Sequence, residues 1–292
     1  MSFSIQTDTS ANLPTDLLRR EEITATLFPC AVNGRQYACT DTQEFDGARF
    51  YDAMRRGARV TTSLVAPQQY RDSFRRALEA GLDVLFVGMS SGISGSFASA
   101  ELAARELREE YPDRSICTVD SLGASLGTGL LVLRAAECRR DGVGVEETAR
   151  LLLALRRRMC QVFTVDDLRY LRRGGRISNA AAIAGTVLQI KPLLKGSPEG
   201  HIVLFSKVRG RKRSIEALAG RYNALVEHAG TQTVGIAHAD CPEDAAALGQ
   251  LLMRSKPPAH ILEVCYEPVT GSHVGPGALA LFFIGGADVR EK

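Results

Sequence analysis

The chain has 292 residues, 45% apolar and 24% charged, with 36 Lys+Arg against 33 Asp+Glu for a net charge of +3. This is the composition of a folded globular protein long enough for two domains, and the near-balance of charge excludes the electrostatic footprint of a general nucleic-acid binder. No run reaches the ~18 apolar residues of a membrane span, the opening residues lack a secretory signal pattern, and seven cysteines without CxxC spacing argue against a zinc site or disulfide framework and for a reducing cytoplasm.

Residues 3–5 predict a short strand running into Thr7-Asp8-Thr9-Ser10, and Leu13-Pro14 opens a helix to residue 20. A strand over 23–30, a turn at Asn33-Gly34 and a short strand over 36–39 come next. Residues 45–56 read as a helix with Phe50, Tyr51 and Met54 on one side. After Gly57 stand Val60-Thr61-Thr62-Ser63, then a Pro67-initiated helix to residue 80. The most informative stretch is 84–100. The run Val84-Leu85-Phe86-Val87 has the character of a buried parallel strand, and Ser90-Ser91-Gly92-Ile93-Ser94-Gly95-Ser96 leads into a helix over 97–109. Strand, Ser/Gly loop and helix N-terminus together make an anion site of backbone N–H groups, hydroxyls and the positive end of the helix dipole. The plainer alternative is a glycine-rich turn whose serines only cap the helix. The loop carries neither a dinucleotide nor a P-loop fingerprint.

A strand over 115–119 ends at Asp120-Ser121, followed by helices over 122–139 and 145–157. Strands alternating with helices imply a parallel sheet covered on both faces, with ligands beyond the C-terminal strand ends. Thr7–Ser10, Thr61–Ser63, Ser90–Ser96 and Asp120-Ser121 all fall there. Near Arg157 the pattern changes, and we place the domain boundary there. The second half predicts a strand over 161–165, a short helix over 167–171 closed by Gly174-Gly175-Arg176, and an apolar helix over 180–194 broken by Pro192. Residues 190–194 extend in part into a hairpin that turns at Pro198-Glu199-Gly200 and returns over 201–205. Helices over 213–229 and 244–253 and strands over 233–238, 260–266 and 278–284 complete the chain.

Two further constellations carry chemistry. His273-Val274-Gly275-Pro276-Gly277 places an imidazole in a loop just before a rigid turn. Arg176, on the Gly174-Gly175 turn, offers a guanidinium suited to carboxylate or phosphate. The basic clusters Arg156-Arg157-Arg158, Arg172-Arg173 and Lys207 to Arg213 are either solvated charge or a docking surface for an acidic partner. No nucleophile with an adjacent base and no cluster at metal-ligand spacing is evident. Asp8, Asp120, Asp166 and Asp167 are isolated carboxylates. The residues by themselves favour binding over catalysis, with no metal.

The order and spacing of these segments are specific: Thr7-Asp8 to Leu13-Pro14, Val60-Thr61-Thr62-Ser63, Ser90 to Ser96, Val119-Asp120-Ser121, Tyr170-Leu171-Arg172-Arg173-Gly174-Gly175-Arg176-Ile177-Ser178, Ile190-Lys191-Pro192-Leu193-Leu194, Val208-Arg209-Gly210-Arg211 and His273 to Gly277. From end to end they resemble the DegV family, whose members bind fatty acids. The resemblance implies an α/β fold of two domains with a ligand cleft between them. The first, 1–157, has a parallel sheet flanked by helices and carries the carboxylate loops. The second, 158–292, has a mixed sheet, an acyl-chain tunnel and the His-x-Gly-Pro-Gly loop. On the matching positions the fatty-acid carboxylate is held by Thr61 or Thr62, by Ser94 with the Gly95 amide, and by His273. Arg176 and Ser96 order that cluster or face a partner, and Ile183, Val187, Leu188 and Ile190 line the tail. The displaced Pro67, where many members have Thr-Ser-x-Pro-Ser, leaves open which threonine faces the ligand.

The implied function is that of a cytoplasmic, non-catalytic fatty-acid-binding subunit. It needs no cofactor, binds no nucleic acid and does not insert stably into a membrane. It presents its ligand to a separate ATP-dependent fatty-acid kinase for conversion to acyl-phosphate. The alternative is a phosphotransferase-like enzyme acting on a small hydroxy or keto compound through a reactive histidine, His238 or His273. A DNA-regulatory role would rest on Lys207 to Arg213 alone, without a helix-turn-helix pattern.

Overall fold

The computed structural model describes residues 3–38, 42, 44–177, 189–287 and 289–292. In chain order these form β1 (Phe3–Asp8), α1 (Thr15–Arg20), β2 (Ile23–Thr26), β3 (Cys30–Val32), β4 (Arg35–Tyr37), α2 (Gly47–Arg55), β5 (Val60–Thr62), α3 (Pro67–Glu79), β6 (Asp83–Gly88), α4 (Ser96–Glu110), β7 (Ile116–Asp120), α5 (Leu126–Arg140) and α6 (Val145–Leu155). The second half adds β8 (Met159–Thr164), α7 (Arg169–Arg173), β9 (Ile190–Gly196), β10 (Ile202–Arg209), α8 (Arg211–Leu225), β11 (Thr233–His238), α9 (Pro242–Ser255), β12 (His260–Cys265), α10 (Pro268–Val274) and β13 (Leu279–Ile284). The chain divides into two compact units, residues 1–45 with 61–156, and residues 46–60 with 157–292. The sequence reading has a single boundary near Arg157 and no such excursion. A short amphipathic helix does not declare in its own sequence which core its apolar face will join. Phe50, Tyr51 and Met54 of α2 are buried, and the Tyr51 hydroxyl donates to the Tyr266 carbonyl at 2.7 Å within the second unit.

The first unit is built on a four-stranded parallel sheet in the order β2-β1-β6-β7. Val84 through Val87 of β6 are all buried. Because successive strand side chains point to opposite faces, an unbroken buried run means that both faces are covered. One cover includes a ring cluster, with Tyr70 of α3 edge-on to Phe86 at 5.0 Å between centroids and Phe74 at 5.5 Å from Phe86. The strand order reverses direction at the β1–β6 pair, and the crevice beyond the C-terminal ends of such a pair is where open α/β sheets bind ligands.

The second unit holds a six-stranded mixed sheet, β10-β9-β8-β13-β11-β12. Only β11 and β12 run parallel; the other pairings are antiparallel. Leu193, Ile215, Leu218, Tyr222, Val234, Ile236, Leu248, Leu281 and Phe283 are among the residues of its core.

Four expectations change. The strand expected over 23–30 ends at Thr26, and the chain re-enters as the β3–β4 hairpin around Asn33 (φ 51°) and Gly34 (φ 80°). The helix expected from Leu122 starts at Leu126, since Leu122 and Ser125 both take positive φ and the Ser125 amide donates to the Ser10 carbonyl. Residues 190–194 are wholly strand, and the helix expected over 180–194 does not extend there. Pro192 is destabilising inside a helix yet is tolerated in β9, because β8 pairs only with Leu193 to Lys195 and no ladder donor is missed at residue 192. Residues 268–274 form a helix where a loop was expected. Its start, Glu267-Pro268, carries the N-cap and N1 signals, with the Glu267 carboxylate accepting from the Val269 and Thr270 amides. Among the described residues no helix is long and apolar enough to cross a membrane.

Candidate functional site

In the first unit the Ser/Gly loop is wound so that most of its own amides are taken up by carbonyls, hydroxyls and Asp120. The Ser90 amide donates to the Gly123 carbonyl at 2.7 Å, and the Ser90 carbonyl accepts from the Ile93 and Ser94 amides. Ser90 Oγ accepts from the Gly92 amide and Ser94 Oγ from the Ser96 amide. The Ser91 hydroxyl donates to Asp120 Oδ2 at 2.6 Å, tying the loop to the end of β7. The Gly95 amide has no acceptor among the described residues. Beyond it the first-turn amides of the fifteen-residue α4 lack intrahelical partners, leaving a cluster of donors at the positive end of a helix. Ser94, although 9% exposed, keeps its own proton for an external acceptor.

Thr61 and Thr62 stand at the end of β5, which belongs to the small β4-β3-β5 sheet rather than to the parallel one. They are nevertheless held to the loop. The Val65 amide donates to the Ser96 hydroxyl oxygen at 3.0 Å, and the Leu64 side chain lies over Gly95, 3.4 Å from where a Cβ would stand. Ser96 itself is fully buried, so its hydroxyl acts inside the unit. Asp8 is buried as well. It accepts from the Ser10 amide at 3.0 Å and from the Tyr70 hydroxyl at 3.2 Å, and burial raises its carboxyl above the usual range against the lowering effect of those bonds.

In the second unit the two remaining constellations meet. His273 lies on α10, and Gly174 faces its imidazole so closely that a Cβ there would overlap Nδ1. The Tyr170 ring fills the space against Gly275 (φ 81°), and Asp166 that against Gly277 (φ 77°), so each glycine is required by both conformation and room. Arg173 lies over the Tyr170 ring at 5.2 Å, and the Arg176 guanidinium donates to the Gly174 carbonyl. Burial first, then the charges of Arg176 and Arg173, push His273 down to about 4. At neutral pH the imidazole is therefore uncharged and serves as a hydrogen-bonding group, while positive potential comes from the two arginines.

The other sequence candidates divide. Asp166 pairs with Lys191 at 2.7 Å and, with Asp244, holds Arg211. Arg211 is thus internal, whereas Lys207, Arg209, Lys212 and Arg213 are exposed. Asp167 caps and pairs with Arg169. His238 accepts from the Cys241 amide through Nδ1 at 3.3 Å and is held down by burial. Ile190 is half-buried at the start of β9, opposite Arg209. Ile183, Val187 and Leu188 lie outside the described residues.

A family model for DegV, described as an uncharacterised protein family, matches residues 2–286. The chain belongs to the DegV family. A DegV domain-containing protein of Clostridium perfringens is 36% identical over 289 residues, covering 99% of each chain. The solved structure of a DegV-family protein from Thermus thermophilus, described for its fatty-acid binding, superposes with a TM-score of 0.87 at 33% identity, covering 98% of this chain and all of that one. A fatty-acid-binding DegV protein of Streptococcus agalactiae gives 0.84 at 28%, over 98% and 99%. The two-domain α/β fold of the DegV proteins is the fold described above. Sequence reasoning singled out the serines, threonines and histidine of this DegV chain but not Tyr70, whose hydroxyl is brought to Asp8 only by the packed core.

Proposed function

We propose that this DegV protein binds a long-chain fatty acid, with the carboxylate taken by the Ser94 hydroxyl, the Gly95 amide and Thr61 or Thr62, and by His273. The acyl tail is buried, with Ile190 in its lining. The observation that carries this reading is the corner at the head of α4, where a hydroxyl proton and an amide without an internal acceptor stand together at a helix N-terminus. The fatty-acid binding for which the relatives from Thermus thermophilus and Streptococcus agalactiae are described supports it. The protein acts in the cytoplasm as a carrier without a catalytic group or cofactor of its own, and hands its ligand to a separate ATP-dependent fatty-acid kinase.

Native mass spectrometry of the purified protein, with lipid extraction, tests the reading. A co-purifying species of fatty-acid mass at one per chain is expected. An empty protein that also refuses added fatty acids overturns it. Ser94→Ala and His273→Ala are each expected to weaken binding about tenfold or more, since a hydrogen bond to a charged group is worth ~1.5–3 kcal/mol, with the far-UV circular dichroism unchanged. Unaltered affinity in both removes the head-group assignment.

A further inference from the structure

A chain of polar contacts crosses the interior of the first unit. The Val65 amide donates to Ser96 Oγ at 3.0 Å, the Ser96 and Tyr70 hydroxyls interact, and the Tyr70 hydroxyl donates to Asp8 Oδ2 at 3.2 Å. Asp8 Oδ1 closes the chain by accepting from the Ser10 amide and hydroxyl, and the Met89 amide also donates to this carboxylate. Both Asp8 oxygens accept, so the Tyr70 proton is committed to Asp8. Val65, Ser96 and Tyr70 are fully buried and Asp8 is 1% exposed, so water cannot replace a missing member.

The chain joins the parts that the head-group corner is made from. Val65 follows the Thr61-Thr62-Ser63 stretch, Ser96 follows Ser94-Gly95, Met89 opens the Ser/Gly loop, and Asp8 ends the strand beside it. Tyr70 stands in the middle. Its ring is fixed independently of its hydroxyl by Phe74 and Phe86, at 5.9 and 5.0 Å.

We propose that Tyr70 is a positioning residue for the anion-binding corner: its hydroxyl, bridging Asp8 and Ser96, sets where the Thr61-Thr62 strand end stands relative to Ser94 and Gly95. This rests on the carboxylate assignment made above. A carboxylate needs hydroxyls and amide at fixed mutual distances, whereas an acyl tail is indifferent to them, so the effect of Tyr70 falls on the acid group alone.

Tyr70→Phe deletes one hydroxyl and keeps the ring. The test compares its affinity for oleic acid and for oleyl alcohol with that of the wild type, and follows hydrogen exchange at the Val65 amide without ligand. Expected are a loss on the order of tenfold for the acid, no change for the alcohol, and faster exchange at Val65. Ser96→Ala, which removes the next link, is expected to repeat the pattern. Equal losses for acid and alcohol reduce Tyr70 to a stabilising role and overturn the proposal, as does an unchanged acid affinity or unchanged Val65 exchange. A wild-type protein that binds neither ligand overturns the fatty-acid reading itself, and the positioning role with it. Acid binding without an acid-specific loss overturns the positioning role alone.

Discussion

His273 shows how much a single residue owes to its setting. Its proton affinity drops to about 4 from 6.5 because the ring is buried beside Arg176 and Arg173. As pH falls, the unfolded chain takes up the proton first, so His273 costs nothing above about pH 6.5 and progressively destabilises the fold from there down to about pH 4, by roughly 3 kcal/mol at the acid end. His273→Gln is therefore expected to flatten the stability curve between those values. Urea denaturation at pH 7.5, 5.5 and 4.5 checks it, and parallel curves for the two proteins count against a buried neutral imidazole. Gly174, whose φ of −74° suits any residue, is constrained only by the imidazole against it. The motif glycine there is about room for His273, not about backbone freedom.

At the scale of elements, the site in each unit depends on how a helix begins. α4 starts behind a loop whose other amides are mostly taken up internally, while the Gly95 amide and the Ser94 proton find no acceptor among the described residues. α10 starts the opposite way. The Glu267 carboxylate, 5% exposed, consumes the amides of Val269 and Thr270 and fixes the helix that carries His273 six residues after the cap. Glu267→Ala removes that cap and is expected to cost ~1–2 kcal/mol, with fatty-acid affinity falling because His273 is no longer held over Gly174. A thermal melt with a parallel binding titration reads both, and a destabilised protein with undiminished affinity would separate the cap from the ligand. The β9–β10 hairpin makes a different point. Its turn at Pro198-Glu199-Gly200 and the β-branched residues around it outweigh the apolar period that suggests a helix through residue 194.

For the whole molecule, carrying a lipid requires both ends of the ligand to contribute. Ten buried methylenes at ~0.8 kcal/mol each give about 8 kcal/mol, and association costs about 4 kcal/mol or more, so the head-group bonds decide whether the complex is tight. Affinity is expected to rise about fourfold per added methylene from decanoic to hexadecanoic acid, the factor that ~0.8 kcal/mol represents. A flat series in a fluorescence displacement titration would contradict a buried tail.

Much of this was legible in the chain itself. Local rules place β6, the Ser/Gly loop and α4, because an apolar β-branched run followed by small polar residues and then a 3.6-residue period has one physical solution. Positive-φ glycines marked the turn at Gly175 and those after His273, and the ordered motifs carried the family. Tertiary structure alone decided what long-range packing controls. It put α2 with the second unit, turned residues 190–194 into a strand by pairing them with β10, and set Gly174 under His273. It also brought Val65, Ser96, Tyr70 and Asp8, distant in sequence, together in the buried interior of the first unit. Patterns of side-chain period are written locally and survive in the sequence. The partner of a buried hydroxyl or the core that an apolar face joins is fixed only when segments remote in the chain exclude water together.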